Sequence, residues 1–343
     1  MALLVLNSDE VRRALSMPDA INAMRSAFAA LSSGTAVVPH RAHLPIERHA
    51  GISLIMPAYL DAGHLEDQAL TVKTVSLFDH NRARGLARIQ SAVMVFEPDT
   101  GRPQAVLEGA TLTAIRTAAA SGLATELLAR ADSQSLAIFG AGVQAVAHLE
   151  AICCVRPIRD VWIYSRTREK ASQWMEALAQ HRNSEPTPRH APATRPQFHL
   201  AESPTAALQH ADIVCATTTS TDPIFDDADI RPGMHINAVG SFKPTVRELP
   251  AKTIVRADVF VDSREAAWEE AGDLIQPLQD QQINRQHIRA ELGELVLGKM
   301  SGRTHPQAIT VFKSVGIAIQ DAAAARQALA NAKQLGLGTS VPW

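Results

Sequence analysis

Ser135-Leu136-Ala137-Ile138-Phe139-Gly140-Ala141-Gly142-Val143-Gln144-Ala145 is the stretch that decides the fold. An apolar strand runs into a GxGxxA turn that opens a helix. In such a turn the first glycine permits the sharp bend and the second lets backbone approach a pyrophosphate. The small third residue allows helix and strand to pack closely. The helix amides then face the phosphates. Gly140, Ala141, Gly142, Val143 and Gln144 are therefore candidate contacts for a dinucleotide.

Downstream, strand and helix signals alternate. A helix over Val143–Cys154 leads to a strand at Val161–Tyr164, a helix over Arg168–Gln180, a weak strand at Phe198–Leu200 and a helix after Ser203-Pro204. Apolar runs follow at Ile213–Ala216, Ile236–Val239, Val259–Val261 and Ile309–Phe312. This order predicts an α/β fold with a Rossmann, doubly wound, mostly parallel sheet. Four prolines and mixed charge make His181–Gln197 the expected exposed connection.

The second strand ends in Ser165-Arg166-Thr167, where a Rossmann domain meets the adenosine ribose, and no acidic residue stands there. A carboxylate would accept the ribose hydroxyls of NADH and repel a 2′-phosphate. Two hydroxyls and a guanidinium suit that phosphate, so NADPH is preferred and NADH remains possible. Thr167 also reads as the cap of the next helix, with which a phosphate contact is compatible.

Upstream, the signals differ. Ser16, Pro18 and Gly34 punctuate a helix whose Ile21, Met24, Phe28 and Leu31 share one face. Short β-type runs at Ile52–Met56, Leu70–Leu77 and Ile89–Phe96 follow. A turn at Asp99-Thr100-Gly101 and a return run at Ala105–Leu107 complete an antiparallel, sheet-rich segment. Gly316–Leu335 reads as a final alanine-rich helix that packs back on this first segment. The expected division is residues 1–118 with 314–343 as an α+β substrate-binding and dimerisation domain, and residues 119–313 as the inserted dinucleotide-binding domain.

Composition excludes several classes. The 343 residues carry 33 Lys and Arg against 35 Asp and Glu, a formal charge of −2, so no overall field draws in nucleic acid or anionic lipid. No run is apolar enough for a membrane span or signal peptide, and three cysteines (Cys153, Cys154, Cys215) without a CxxC pair suit a reducing compartment, the cytoplasm. The cysteines read as small buried hydrophobes. The 13 histidines show no HExxH spacing and no GxSxG elbow is present, so no metal site or serine nucleophile is expected.

Three cations interrupt apolar or small-residue surroundings: Arg41, Lys73 and Arg116. Lys73 shares a strand face with Thr71, Val75 and Leu77. If that face turns inward, the ammonium needs something anionic to meet it. Together the three could clamp a substrate carboxylate, and a lysine beside a reacting nitrogen could carry a proton. Singly, each also reads as an edge-strand lysine or a structural ion pair.

At this point the chain resembles the ornithine cyclodeaminase/mu-crystallin family. The matching pieces are Val72-Lys73, Asp99-Thr100-Gly101, Thr113-Ala114-Ile115-Arg116-Thr117-Ala118-Ala119 and Gly140 to Ala145. Asn237-Ala238-Val239-Gly240, Arg247-Glu248-Leu249 and Val311-Phe312-Lys313-Ser314 complete the set. The resemblance implies a homodimer joined through sheets, carboxylate binding by Arg41, Lys73 and Arg116, and cofactor contacts from Arg116 and Thr117. It extends those contacts to Thr217, Thr218, Val239, Gly240, Ser241 and Ser314.

Members of the family include cyclodeaminases, alanine dehydrogenases, cyclic ketimine reductases and a ligand-binding crystallin. Where the cyclodeaminases carry an aspartate after the Asn-Ala-Val-Gly segment, this chain reads Gly240-Ser241-Phe242-Lys243-Pro244. Phenylalanine can neither accept a proton nor hold an amine. The expectation is therefore reduction of a preformed cyclic imino acid, Δ1-pyrroline-2-carboxylate or Δ1-piperideine-2-carboxylate, with Lys73 orienting the substrate or delivering the nitrogen proton. Phe242 is expected either as an apolar wall over the ring or as ordinary core. The alternatives are a cyclodeaminase, an alanine dehydrogenase-like enzyme and a non-catalytic binding protein.

Overall fold

The structure, a computed structural model, describes residues 2–61, 63–184 and 196–343. The chain forms two compact units, Met1–Ala119 with Gly316–Trp343, and Ala120–Val315.

The first unit opens with β1 (Ala2–Leu6), α1 (Ser8–Ala14) and α2 (Met17–Ser33). α2 follows its punctuation: the Ser16 hydroxyl accepts from the Asp19 amide, Pro18 sits in the first turn, and Gly34 closes the helix at φ 79°. Then come β2 (Ala36–Val37), β3 (Ala42–Ile46), β4 (Gly51–Leu60), β5 (Ala69–Phe78), β6 (Ile89–Phe96) and β7 (Pro103–Glu108). β4 to β7 form an antiparallel meander, with β2 and β3 paired on β4. β1 adds in parallel to β7. α3 (Gly109–Leu128) then carries the chain into the second unit.

The second unit runs β8 (Ser135–Phe139), α4 (Val143–Val155), β9 (Asp160–Tyr164), α5 (Arg168–Ser184), β10 (Gln197–Leu200), α6 (Pro204–Leu208) and β11 (Ile213–Ala216). It continues with β12 (His235–Ala238), α7 (Ala251–Arg256), β13 (Asp258–Val261), α8 (Arg264–Glu270), α9 (Gly272–Gln279), β14 (Ile288–Glu291), α10 (Leu292–Val296) and β15 (Thr310–Lys313). The sheet order is β10-β9-β8-β11-β12-β15-β13-β14, with parallel pairing throughout. Both faces are covered: Ala137 and Phe139 of β8 pack in one apolar cluster, Leu136 and Ile138 in another. The strand order reverses between β8 and β11, the switch point at which such sheets bind ligands.

The chain returns to the first unit as α11 (Ala318–Leu335) and β16 (Thr339–Pro342), the latter antiparallel to β1. α11 packs on α2 and across β4 and β5, on the sheet face that buries Met56, Ala58, Lys73 and Val93.

Five strands do not follow from the sequence reading, among them β2 and β3 between α2 and β4. β1 was visible only as an apolar run. β14 and β16 are four-residue edge strands, β14 mixing Arg289 and Glu291 with two buried apolar positions and β16 wholly exposed, so neither carries a strong β signal. Of the expected connection after α5, residues 185–195 lie outside the described residues; its first four belong to α5 and Gln197 opens β10. The reading of the cysteines needs correcting: Cys215 is buried, but Cys154 is exposed and Cys153 half-buried. Neighbours on a helix point about 100° apart, so an adjacent pair cannot share one buried face.

Candidate functional site

In the first unit, Lys73 stands on the inward face of β5, opposite Met56 of β4 and Val93 of β6, and is 2% exposed. Its ammonium donates to Thr113 Oγ1 at 2.6 Å and to Asp321 Oδ1 at 2.9 Å. Arg116, one turn beyond Thr113 on α3, donates from Nε to the same Asp321 oxygen at 3.0 Å and from Nη1 to Gln320 Oε1 at 2.7 Å. Arg41 Nη2 donates to the Gly316 carbonyl at 2.6 Å. Gly316 has φ 81°, a conformation in which a side chain is strained, and a Cβ there would lie 2.9 Å from Arg116 Nη1 and displace the guanidinium.

The structure thus brings Arg41, Lys73 and Arg116 together, with Asp321 as the carboxylate among them. The sequence leaves the anion open between a ligand and a structural ion pair; Asp321, 248 residues from Lys73 in the chain, is one the fold itself supplies. Lys73 and Arg116 share that one carboxylate, so the three buried groups carry one positive charge in excess. Burial lowers the Lys73 ammonium to about 8; Asp321 opposes that shift, while Arg116 and Arg41 add to it. Burial would raise the Asp321 carboxyl, but Arg116 and then Lys73 hold it below its ordinary range. Asp321 Oδ2 and Gln320 Nε2 are buried with no hydrogen-bond partner among the described residues.

In the second unit, the expected cofactor positions fall at the carboxyl ends of five adjacent strands. Gly140 to Gln144 follow β8, Ser165-Arg166-Thr167 follow β9, Thr217 and Thr218 follow β11, Val239 to Ser241 follow β12, and Ser314 follows β15. Gly140 sits at φ 111°, and a Cβ there would lie 2.8 Å from the Thr217 carbonyl. Gly142 precedes α4 with open space on its Cβ side and no side chain caps the helix. Val143 is 68% exposed. A close-approach glycine before uncapped amides fits a pyrophosphate. The Thr167 amide donates to Ser165 Oγ at 3.3 Å, and Arg166 is exposed.

Several of these positions are held by residues the reading quoted only as motif matches. Glu248, fully buried, accepts from the Thr218 amide (2.8 Å), the Thr218 hydroxyl (2.6 Å) and the Gly240 amide (2.7 Å). Lys313 pairs with Asp273 Oδ2 at 2.9 Å and donates to the Ser241 carbonyl at 2.6 Å. Asp273 Oδ1 accepts the amides of Glu248 and Leu249. Ser314 Oγ donates to Asp262 Oδ2 at 2.8 Å. Burial pushes the Glu248 carboxyl up, with Lys313 the largest opposing influence. Thr218, Gly240 and Ser314 thus spend polar groups on the protein itself, giving the strand ends their shape.

Phe242 is 39% exposed, which excludes the ordinary-core reading. Arg116 and Thr117 belong to the first unit, and both are buried. One buried histidine is structural: His148 lies within hydrogen-bond distance of Ser121 Oγ and the Gln144 carbonyl, and burial lowers it to about 4, so its ring is neutral. Among the described residues, no helix is long and apolar enough to cross a membrane.

A doubly wound unit with a glycine turn at its switch point, in a chain whose other unit gathers Lys73 and Arg116 on a buried carboxylate, defines a dinucleotide-dependent oxidoreductase. The chain belongs to the ornithine cyclodeaminase/mu-crystallin family, whose model matches residues 1–335. It is similar to a Delta(1)-pyrroline-2-carboxylate reductase of Bacillus cereus, with 36% identity over 340 residues, 99% of each chain. The ketimine reductase mu-crystallin of Mus musculus is 33% identical over 318 residues, 93% of this chain and 92% of that one. Among solved structures, the Delta(1)-pyrroline-2-carboxylate reductase of Thermococcus litoralis in complex with NADH and L-proline matches with a TM-score of 0.90. It shares 37% identity and covers 99% of this chain and 100% of its own.

Proposed function

We propose that this protein reduces a preformed cyclic imino acid, converting Δ1-pyrroline-2-carboxylate to L-proline and Δ1-piperideine-2-carboxylate to L-pipecolate, with NADPH favoured over NADH. The cation cluster of the first unit carries the reading. Arg41 and Arg116 hold the substrate carboxylate; the Nε and Nη1 atoms of Arg116 are taken by Asp321 and Gln320, which leaves Nη2 to the ligand. Two of the three ammonium hydrogens of Lys73 are engaged by Thr113 and Asp321, and the third points its charge at the imine nitrogen. Bound NAD(P)H supplies the hydride that C2 of the ring receives. Lys73, charged in the main at neutral pH, supplies the proton that nitrogen receives, which completes the amine.

The names of the Bacillus and Thermococcus relatives support this substrate class. Phe242 supports it against the cyclodeaminase alternative, because an exposed ring offers apolar surface to a closed imine and nothing to an open-chain amine. Ser165-Arg166-Thr167 supports NADPH, and the NADH in the Thermococcus structure supports use of NADH as well. With Δ1-pyrroline-2-carboxylate, NADPH loss should match proline formed mole for mole, and kcat/KM with NADPH should exceed that with NADH by about tenfold, the worth of one charge-assisted contact. Release of ammonia from ornithine without NADPH loss would overturn the reading, and a tenfold preference for NADH would overturn the cofactor assignment.

The protein works as a homodimer in the cytoplasm. The face of the first sheet opposite α11 supports the dimer: Val37, Leu44 and Ile55, on β2, β3 and β4, are 58%, 55% and 39% exposed. Apolar residues on the outer face of a sheet seek a partner, and a second copy supplies a matching one. Light scattering should give twice the 36.9 kDa of one chain; the mass of a single chain would refute the dimer.

A further inference from the structure

Lys73 and Arg116 come from different elements, β5 and α3, yet both end on one oxygen of a third, Asp321 Oδ1 in the first turn of α11. We propose that Asp321 is the positioning residue of the imine site, fixing the aim of the Lys73 ammonium and the Arg116 guanidinium and keeping the ammonium charged. This inference rests on the functional reading above and deepens it by giving Asp321 a part of its own in the reaction.

An ion pair built for stability alone would match its charges. Here one buried carboxylate is shared by two buried cations, Lys73 and Arg116, and its second oxygen has no hydrogen-bond partner among the described residues. Such a cluster is poorly compensated, and apolar residues of similar volume would serve stability as well or better. What it does supply is orientation. Asp321 and Thr113 together fix two ammonium hydrogens, which sets the direction of the third.

The charged groups facing Lys73 are Asp321 from α11, Arg116 from α3 and Arg41 from the segment before β3; the strand neighbours Met56 and Val93 are apolar. Of the three, Asp321 alone favours the charged ammonium. With that carboxylate gone, burial and two guanidiniums all push the proton off.

The test is the pH profile of kcat/KM for Δ1-pyrroline-2-carboxylate in the wild type, Asp321→Asn and Asp321→Glu. Activity needs the protonated lysine, so the wild type loses it as pH rises through about 8. In D321N that limb should move down by about one to three pH units, the usual influence of an adjacent opposite charge, while the KM for NADPH changes less than about twofold. In D321E the charge persists and the aim changes: the limb should stay near that of the wild type while kcat falls by about tenfold. Loss of kcat in D321N with an unmoved limb would assign Asp321 a merely structural part and overturn the inference. Where D321N does not fold, D321E decides alone, and either a wild-type kcat or a displaced limb there overturns it. A wild type that leaves NADPH untouched with either imine instead overturns the functional reading, and this inference with it.

Discussion

Lys73→Met should lower kcat/KM for the cyclic imine by about 10²–10⁴-fold, the range a positioned general acid contributes, and leave the protein folded. Methionine matches the length and apolar stem of lysine, and the site lies on an inward strand face between Met56 and Val93. Asp321 keeps its bond from Arg116 Nε at 3.0 Å, so the carboxylate is not stripped of every cation. The loss should therefore fall on chemistry more than on stability. Steady-state oxidation of NADPH at pH 7 measures the first and a thermal melt the second. Lys73→Arg makes a sharper contrast: it restores charge, but a guanidinium does not release its proton at any pH of interest, so the carboxylate can bind while turnover stays low. K73M activity within about threefold of the wild type would remove Lys73 from proton delivery.

What was legible in the sequence was local. The turn at Gly140-Ala141-Gly142 declares itself because strand, glycines and helix are contiguous. Ser16, Pro18 and Gly34 likewise set the bounds of α2 from within a few residues. Lys73 stood out because an ammonium on the same strand face as Thr71 and Val75 demands an explanation once that face is buried.

Asp321 was not legible. Near the start of an alanine-rich helix, an aspartate reads as a favourable charge at the positive end of the helix dipole. Only the packing of α11 across β5 shows that this aspartate meets Lys73. A polar pair, Gln320-Asp321, ahead of the buried run Ala322 to Ala325 was the available signal. Glu248 and Lys313 were visible as parts of family motifs, but the hydrogen bonds that explain them join strand ends separated by tens of residues. No local periodicity encodes such a network.

The second large effect concerns that network. Lys313→Met should destabilise the second unit by about 3–5 kcal/mol, the cost of leaving buried charge uncompensated. Lys313 is fully buried; without its ammonium, Asp273 loses its ion pair at 2.9 Å and Glu248 its largest acid-strengthening influence. At about 2–4 °C per kcal/mol for a unit of this size, Tm should fall by about 10 °C. The sign of the pH dependence follows from Glu248. Its carboxyl, already raised by burial, should rise further in the variant, so that the folded state binds a proton the unfolded state does not. Stability from such a group is present below the unfolded pKa and lost as pH rises through the folded one. The deficit of K313M against the wild type should therefore be smaller at pH 5 than at pH 8. Because Glu248 holds Thr218 and Gly240 in place, the KM for NADPH should rise together with the loss in Tm. In K73M the two readouts should separate, with activity lost and Tm largely kept. A K313M melt within about 2 °C of the wild type at both pH values would show that the buried pair contributes nothing, and would leave the shape of the strand ends to backbone packing alone.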